Sequence, residues 1–199
     1  MSAELESFFS GLSSSLELAA RFEAQAARFA APSFSVFKYI LTSEDGVTRI
    51  LRDLLDPQGD HGQGALFLRV FLARLGLAVP ESELGRAIVR TQVQTPFHRR
   101  PDLLIDVPGQ LVLGLENKIY AADLDLQVAA YVEFVRSRSK GCKWAIAYLT
   151  PNRRPPNERS IAPQEREELQ KADQFFCLGY RSDICSWLHA CIGVCRADS

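Results

Sequence analysis

Two carboxylates and an amine lie close enough in this chain to act on one substrate group. Asp102 follows Pro101, and Glu116-Asn117-Lys118 begins fourteen positions later. On a β-strand successive side chains alternate faces, so Glu116 and Lys118 project together and Asn117 projects the other way. Pro108-Gly109 between them is a strong turn signal. It folds the Asp102 segment back along the Glu116 segment, and the register decides how near the two carboxylates come. Leu103, Leu104, Ile105 and Val107 surround the first acid, and Leu111, Val112, Leu113 and Leu115 precede the second. Charges on strands this apolar are costly unless paired or metal-bound. Two carboxylates suit a hard divalent cation, Mg²⁺ or Mn²⁺, which takes few protein ligands and keeps waters for a phosphate group. Such a cation polarises a phosphoryl oxygen and activates water, and Lys118 would position that water or stabilise developing charge. The same spacing also fits a structural salt bridge between Lys118 and Glu116 or Asp102.

The elements that must position these residues are legible as changes of period. Residues 4–30 read as a helix with Phe8, Leu12, Leu16, Ala19, Phe22 and Phe29 on one stripe, closed by Pro32. A second helix is expected from Glu44 to Leu55 with Val47, Ile50, Leu51, Leu54 and Leu55 inward. Asp56 to Asp60 then reads as a turn. A third helix, Gln63 to Leu75, ends at Gly76. From Ala87 the period drops to two. Ala87–Thr95, Asp102–Val107 and Leu111–Lys118 read as three successive antiparallel strands. Asp123 to Ser137 is expected to be a helix opened by Asp123. Trp144 to Leu149 is apolar enough for a strand buried on both faces, reached by a right-handed crossover. A Pro-rich loop follows, then a helix at Gln164–Lys171, a strand at Phe175–Leu178 and a closing helix at Ser182–Cys195 capped by Ser182.

The chain has 199 residues, 47% of them hydrophobic and 24% charged, with a net charge of -1. That is the composition of one globular domain, and it argues against disorder or coiled coil. No apolar run approaches the ~18–20 residues of a membrane span. The acidic start Met-Ser-Ala-Glu-Leu-Glu does not resemble a signal peptide. Five cysteines without a secretory signal point to reduced thiols in a cytoplasm. Charge is uneven. From Phe134 to Asn157 there is no acid, while Arg136, Arg138, Lys140, Lys143, Arg153 and Arg154 all fall there. A polyanion would favour such a face, and a solvated helix end with its loop is the alternative.

These residues reach a known family. Pro101-Asp102 with Glu116-Asn117-Lys118 is similar to the PD-(D/E)xK nuclease motif. The surrounding Ile119-Tyr120-Ala121, Asp123, Gln127 and Tyr131 resemble a bacterial standalone branch of that superfamily. So do Glu44, Ile50-Leu51 and Leu54-Leu55-Asp56-Pro57 upstream, with His61-Gly62, Gly64 and Phe67-Leu68. Tyr148-Leu149-Thr150-Pro151, Gly179-Tyr180, Ile184 and Trp187-Leu188 extend the likeness downstream, over about residues 34–192. The resemblance implies an α/β fold with a restriction-endonuclease-like αβββαβ core, a mixed central sheet and an N-terminal helical extension. It implies one domain over 1–199, with residues 1–33 as the extension.

It further implies a metal-dependent nuclease, most readily a DNA endonuclease that uses Mg²⁺ or Mn²⁺ and leaves a 5′-phosphate. Asp102, Glu116 and the Asn117 backbone carbonyl would hold the metal, and Lys118 would be the catalytic lysine. Glu44 matches an additional acidic position. Gln127 and Tyr131, four apart on one helix face, would line the cleft near the scissile phosphate. Where the family often carries His-Ser after the helix glutamate, this chain has Val47-Thr48. A nucleic-acid-binding or protein-interaction module that kept the fold without turnover, and an RNA-directed nuclease, are the competing readings. A homodimer would let two sites cut two strands.

The remaining polar residues weigh differently. His61, in a turn, either reaches a phosphate or braces that turn. His98, Arg99 and Arg100 either grip a nucleic-acid backbone or form a solvated loop. Tyr120 either stacks on a base or packs. His189 and Cys191 are ~200° apart on a helix, and with no Cys-x-x-Cys spacing zinc is not expected. Gly59, Gly62 and Gly64 neither follow a strand nor precede a P-loop lysine.

Overall fold

A computed structural model describes residues 13, 15–25, 43–91 and 101–197. After helix α1 (residues 15–25) come α2 (Glu44–Leu55), α3 (Leu66–Arg74), α4 (Glu81–Leu84), β1 (Ile88–Thr91), β2 (Leu103–Val107), β3 (Leu111–Asn117), α5 (Gln127–Ser139), β4 (Lys143–Thr150), α6 (Pro163–Lys171), β5 (Phe175–Gly179) and α7 (Cys185–Ala197). The five strands form one sheet in the order β1-β2-β3-β4-β5. β1, β2 and β3 pair antiparallel, and β4 and β5 add in parallel, so the sheet is mixed as expected.

The turn that places the acids follows from two residues. Gln110 N–H donates to Val107 O (2.9 Å), and Gly109 takes φ +70°. Pro at the second position and positive φ at the third define a type II turn. The resulting register pairs Leu103 with Leu115. Continued by one residue, it sets Asp102 opposite Glu116.

Alternation along the strands sorts the core into two layers. Leu103, Ile105, Leu113, Leu115, Ala147 and Leu149 face α2, α3 and α7, where Leu51, Leu55, Leu68, Phe71 and Trp187 pack. Leu104, Val112, Ile146 and Tyr148 face α5 and α6, through Val128, Val132, Val135 and Leu169. Every residue of β3 is buried. Gly114 lets α5 close on this strand: a Cβ there would lie 3.0 Å from both Ile146 Cδ1 and Val135 Cγ2.

Helix α2 has the expected bounds, and Ser43 Oγ caps it by accepting from Gly46 N–H (3.2 Å). Of its expected inward residues, Leu51 and Leu55 are core and Val47 and Leu54 pack against them. Thr48 is buried, whereas Val47, Ile50 and Leu54 are half-buried. Helix α3 ends in a Schellman arrangement: Gly76 N–H donates to Ala73 O, and Leu77 N–H to Leu72 O.

Three expectations fail for identifiable reasons. The α1 stripe is not a core face, since Leu16 and Phe22 are 63% and 64% exposed; the rest of the expected helix lies outside the described residues. Helix α5 begins at Gln127 rather than Asp123, because Leu126 takes a left-handed φ of +54° and its N–H is drawn to Arg159 O (2.7 Å). Ser182 does not cap the last helix. A π-helical turn, Tyr180–Ile184, precedes α7, and Asp183 Oδ2 accepts from both Gly179 N–H (2.7 Å) and Ser182 Oγ (2.6 Å).

Candidate active site

Asp102, Glu116 and Lys118 meet at the end of β3. Lys118 N–H donates to Leu149 O (2.8 Å), which holds the residue in line with β4 just beyond β3. Its Nζ lies 2.9 Å from Glu116 Oε1, and the two side chains are 9% and 3% exposed. Asn117 N–H donates to Asp102 Oδ2 (2.7 Å), tying the first acid to the strand of the second.

The salt bridge does not satisfy the site. Glu116 Oε2 is buried and has no hydrogen-bond partner, an expensive state for a carboxylate oxygen. Burial, then the charge of Asp102, raise the Glu116 pKa to about 8. Burial likewise raises Asp102, to about 6. For Lys118, burial works against the ammonium, but Glu116, Asp102 and Glu44 outweigh it and hold its pKa above the ordinary value. Lys118 is therefore a cation at neutral pH and serves as a charge and hydrogen-bond donor, not as a base. With all three acids ionised, the carboxylates would outnumber the ammonium by two charges, the charge of one divalent cation, and without one the raised values keep that excess from developing. Among the described residues no three His, Cys, Asp or Glu are arranged to hold a metal. The fitting donor set is two carboxylates, including an orphaned oxygen, completed by main-chain oxygen and water, as Mg²⁺ accepts.

The Asn117 side chain is fully engaged elsewhere. Its Nδ2 donates to Glu44 O (3.2 Å) and Thr48 Oγ1 (3.1 Å), and its Oδ1 accepts from Tyr180 Oη (2.5 Å). Only its main-chain carbonyl remains as a metal donor. Thr48, the residue that keeps a hydroxyl, thus locks β3 to α2, while Val47 packs half-buried against the core.

Glu44 is brought to the site in an unexpected way. Its Oε1 accepts from the N–H groups of Ile119, Tyr120 and Ala121 (2.7, 2.7 and 2.9 Å). Burial opposes its charge, yet these three amides prevail and hold its pKa below the ordinary value. The acid anchors the chain immediately after Lys118. Composition and spacing carry no signal for this contact, because the partners are main-chain groups 75 to 77 positions away.

Gln127 sits against Glu116. Its Nε2 donates to Glu116 Oε1 (3.0 Å) and to Tyr131 Oη (3.1 Å), while its Oε1 accepts from Leu124 N–H (3.2 Å). The carboxylate on one side and the amide N–H on the other fix which end of the side chain is which. Tyr131 is 2% exposed and packs in the α5 layer. Tyr131, expected to line the cleft, is buried in this structure, and its hydroxyl supports Gln127. Tyr120 is 76% exposed beside the site. His98, Arg99 and Arg100 lie outside the described residues.

Asp123, expected to open a helix, instead accepts from Tyr148 Oη, Asn157 N–H (2.9 Å) and Arg154 (3.4 Å). It pins the basic loop after β4 to the sheet. The acid-free run is split by this fold. Arg153 and Arg154 lie at the Lys118 end. Lys143 pairs with Leu111 at the opposite end of the sheet. There Arg138 bridges Asp106 (3.0 Å), Arg136 lies over Trp144 and Lys143 donates to Ala78 O.

His61 braces its turn. Gln63 N–H donates to Nδ1 (2.9 Å), so the ring proton is on Nε2 and is given to Asp56 O (3.1 Å). The ring stacks on Phe67 and is buried. All five cysteines are free thiols.

No curated protein and no solved structure matches the chain. A family model described as the PD-(D/E)XK nuclease superfamily matches residues 36–199. With the mixed sheet and the helix order seen here, that match over most of its length places the chain in the PD-(D/E)XK nuclease superfamily.

Proposed function

We propose that this protein is a divalent-metal-dependent nuclease that hydrolyses phosphodiester bonds, with DNA cut internally as its reaction. The observation that carries the reading is the orphaned, buried Glu116 Oε2 in a cluster of three acids and one ammonium, where the crowding raises the Glu116 pKa. A structural salt bridge would have been paired out.

Asp102, Glu116 and the Asn117 carbonyl would hold the cation. When bound, it supplies Lewis-acid polarisation of the phosphoryl group and a lowered pKa for water. The chain's own residues do the rest. Lys118, held protonated, gives a fixed positive charge where negative charge develops on the phosphate. Gln127 keeps Glu116 in one rotamer. Asn117, Thr48 and Glu44 lock β3 and the following loop to α2, so the acids and the amine do not drift apart. Arg154, positioned by Asp123, offers charge to a neighbouring phosphate. Five free thiols agree with work in a reducing cytoplasm.

The test is a cleavage time course with Mg²⁺ or Mn²⁺ on supercoiled plasmid, linear duplex, single strand and RNA, beside EDTA and Lys118→Ala. Metal-dependent cutting of DNA that the variant loses is expected. Removing such a fixed charge costs about 10²–10³-fold in rate. Undiminished cutting by Lys118→Ala would overturn the assignment, and preferential cutting of RNA would change the substrate.

A further inference from the structure

Directly beside Lys118 the surface opens into a groove of about 580 Å³. Val47, Ile119 and Pro151 make its apolar floor, and Tyr120 and Tyr180 bring aromatic rings to it. Asn152 and the exposed Arg181 complete the lining. The groove is fastened to the site rather than merely near it. The main chain of Ile119 and Tyr120 hangs on Glu44 Oε1, and Tyr180 Oη donates to Asn117 Oδ1. Tyr120 follows Lys118 by two residues, within about 7 Å of extended chain.

The occupant is set by this chemistry. The Tyr120 ring is 76% exposed although its backbone is held at three consecutive amides, so it is presented and not packed. Val47, half-buried on α2 and packed at the edge of the core, adds apolar surface to the lining. Aromatic and apolar surfaces take a flat π-face, and Arg181 suits the phosphate that comes with it. In a duplex the π-faces are stacked on neighbouring bases and only the edges are offered. We propose that this groove is a subsite for one unpaired nucleobase adjacent to the phosphate being cut. The preferred substrate is then single-stranded or locally unpaired. This rests on the reading of the neighbouring acids and lysine as facing a phosphodiester backbone.

The test separates binding from turnover. Fluorescence anisotropy in EDTA compares a labelled thymidine oligonucleotide with an abasic strand of the same length and phosphate count. One stacked base gives the thymidine strand about 5- to 150-fold tighter binding to the wild-type protein. Tyr120→Ala and Val47→Asp each erase that ratio, and Tyr120→Phe, which keeps the ring, preserves it. Equal binding of both strands by the wild type, including no measurable binding of either, overturns the proposal. So does a ratio unchanged in both Tyr120→Ala and Val47→Asp. Failure of the nuclease reading is seen elsewhere, as cutting that persists in Lys118→Ala, and a base-dependent ratio without any cutting leaves this subsite standing.

Discussion

Replacing Glu116 by glutamine should make the metal-free protein more stable. Glutamine keeps the shape of the side chain and an oxygen for the contacts with Lys118 and Gln127, and removes the charge. The magnitude follows from the raised pKa. A carboxyl group whose folded value is lifted from 4.5 to about 8 costs stability above 4.5, and the cost grows with pH until the folded value is reached. At neutral pH the interval amounts to roughly 3 kcal/mol at about 1.4 kcal/mol per pH unit. Asp102 and Glu44 carry part of the same excess, so a measured gain of about 2 kcal/mol is expected. For a chain of this size that raises the midpoint by roughly 4–8 °C. The assay is thermal unfolding of wild type and Glu116→Gln in EDTA at pH 5 and pH 7, then with added Mg²⁺. The gain should be large at pH 7 and small at pH 5. Mg²⁺ should stabilise the wild type by about 2.7 kcal/mol at a hundredfold excess over Kd, raising its midpoint, and leave the variant nearly unmoved. A variant that is less stable in EDTA at both pH values, with an undiminished Mg²⁺ response, would refute the argument. The Lys118–Glu116 pair would then be a net stabiliser and the cation would bind elsewhere.

Other outcomes follow from the same geometry. Gln127→Leu removes the donor that orients Glu116, and steady-state kinetics should show kcat lowered about tenfold or more with KM little changed, since a lost hydrogen bond to a charged group is worth about 1.5–3 kcal/mol. His61 is held neutral by burial, so its folded pKa lies below the ordinary 6.5. Its contribution is present above 6.5 and is lost as pH falls below it, and denaturant titrations of His61→Gln should show a shallower acid loss than wild type between pH 6.5 and 5. Gly114→Ala drives a methyl against Ile146 and Val135; urea unfolding should report a loss of about 1–3 kcal/mol, and Val135→Ala in the same chain should recover part of it.

Much of this protein was determined by its sequence alone, because the deciding interactions are local. Alternation on a strand put Glu116 and Lys118 on one face and Asn117 on the other, and Pro108-Gly109 was enough to set the hairpin that pairs them with Asp102. Gly76 marked a helix end through contacts within a few residues. The three-strand run, the doubly buried β4 and the αβββαβ order were all legible as changes of hydrophobic period. The tertiary structure decided what each polar residue is bound to. Glu44 reads as one more acid until α2 packs beside the loop after Lys118 and its carboxylate meets three amides. Asp123 reads as a helix opener until Tyr148 and the β4 loop claim it. Thr48 is claimed by Asn117, 69 positions away, a contact that the pattern of α2 does not carry. The basic run divides because β4 carries its two halves to opposite ends of the strands. A side chain's periodicity is written in its neighbours along the chain, but its hydrogen-bond partner lies tens of residues away and exists only once the layers have closed.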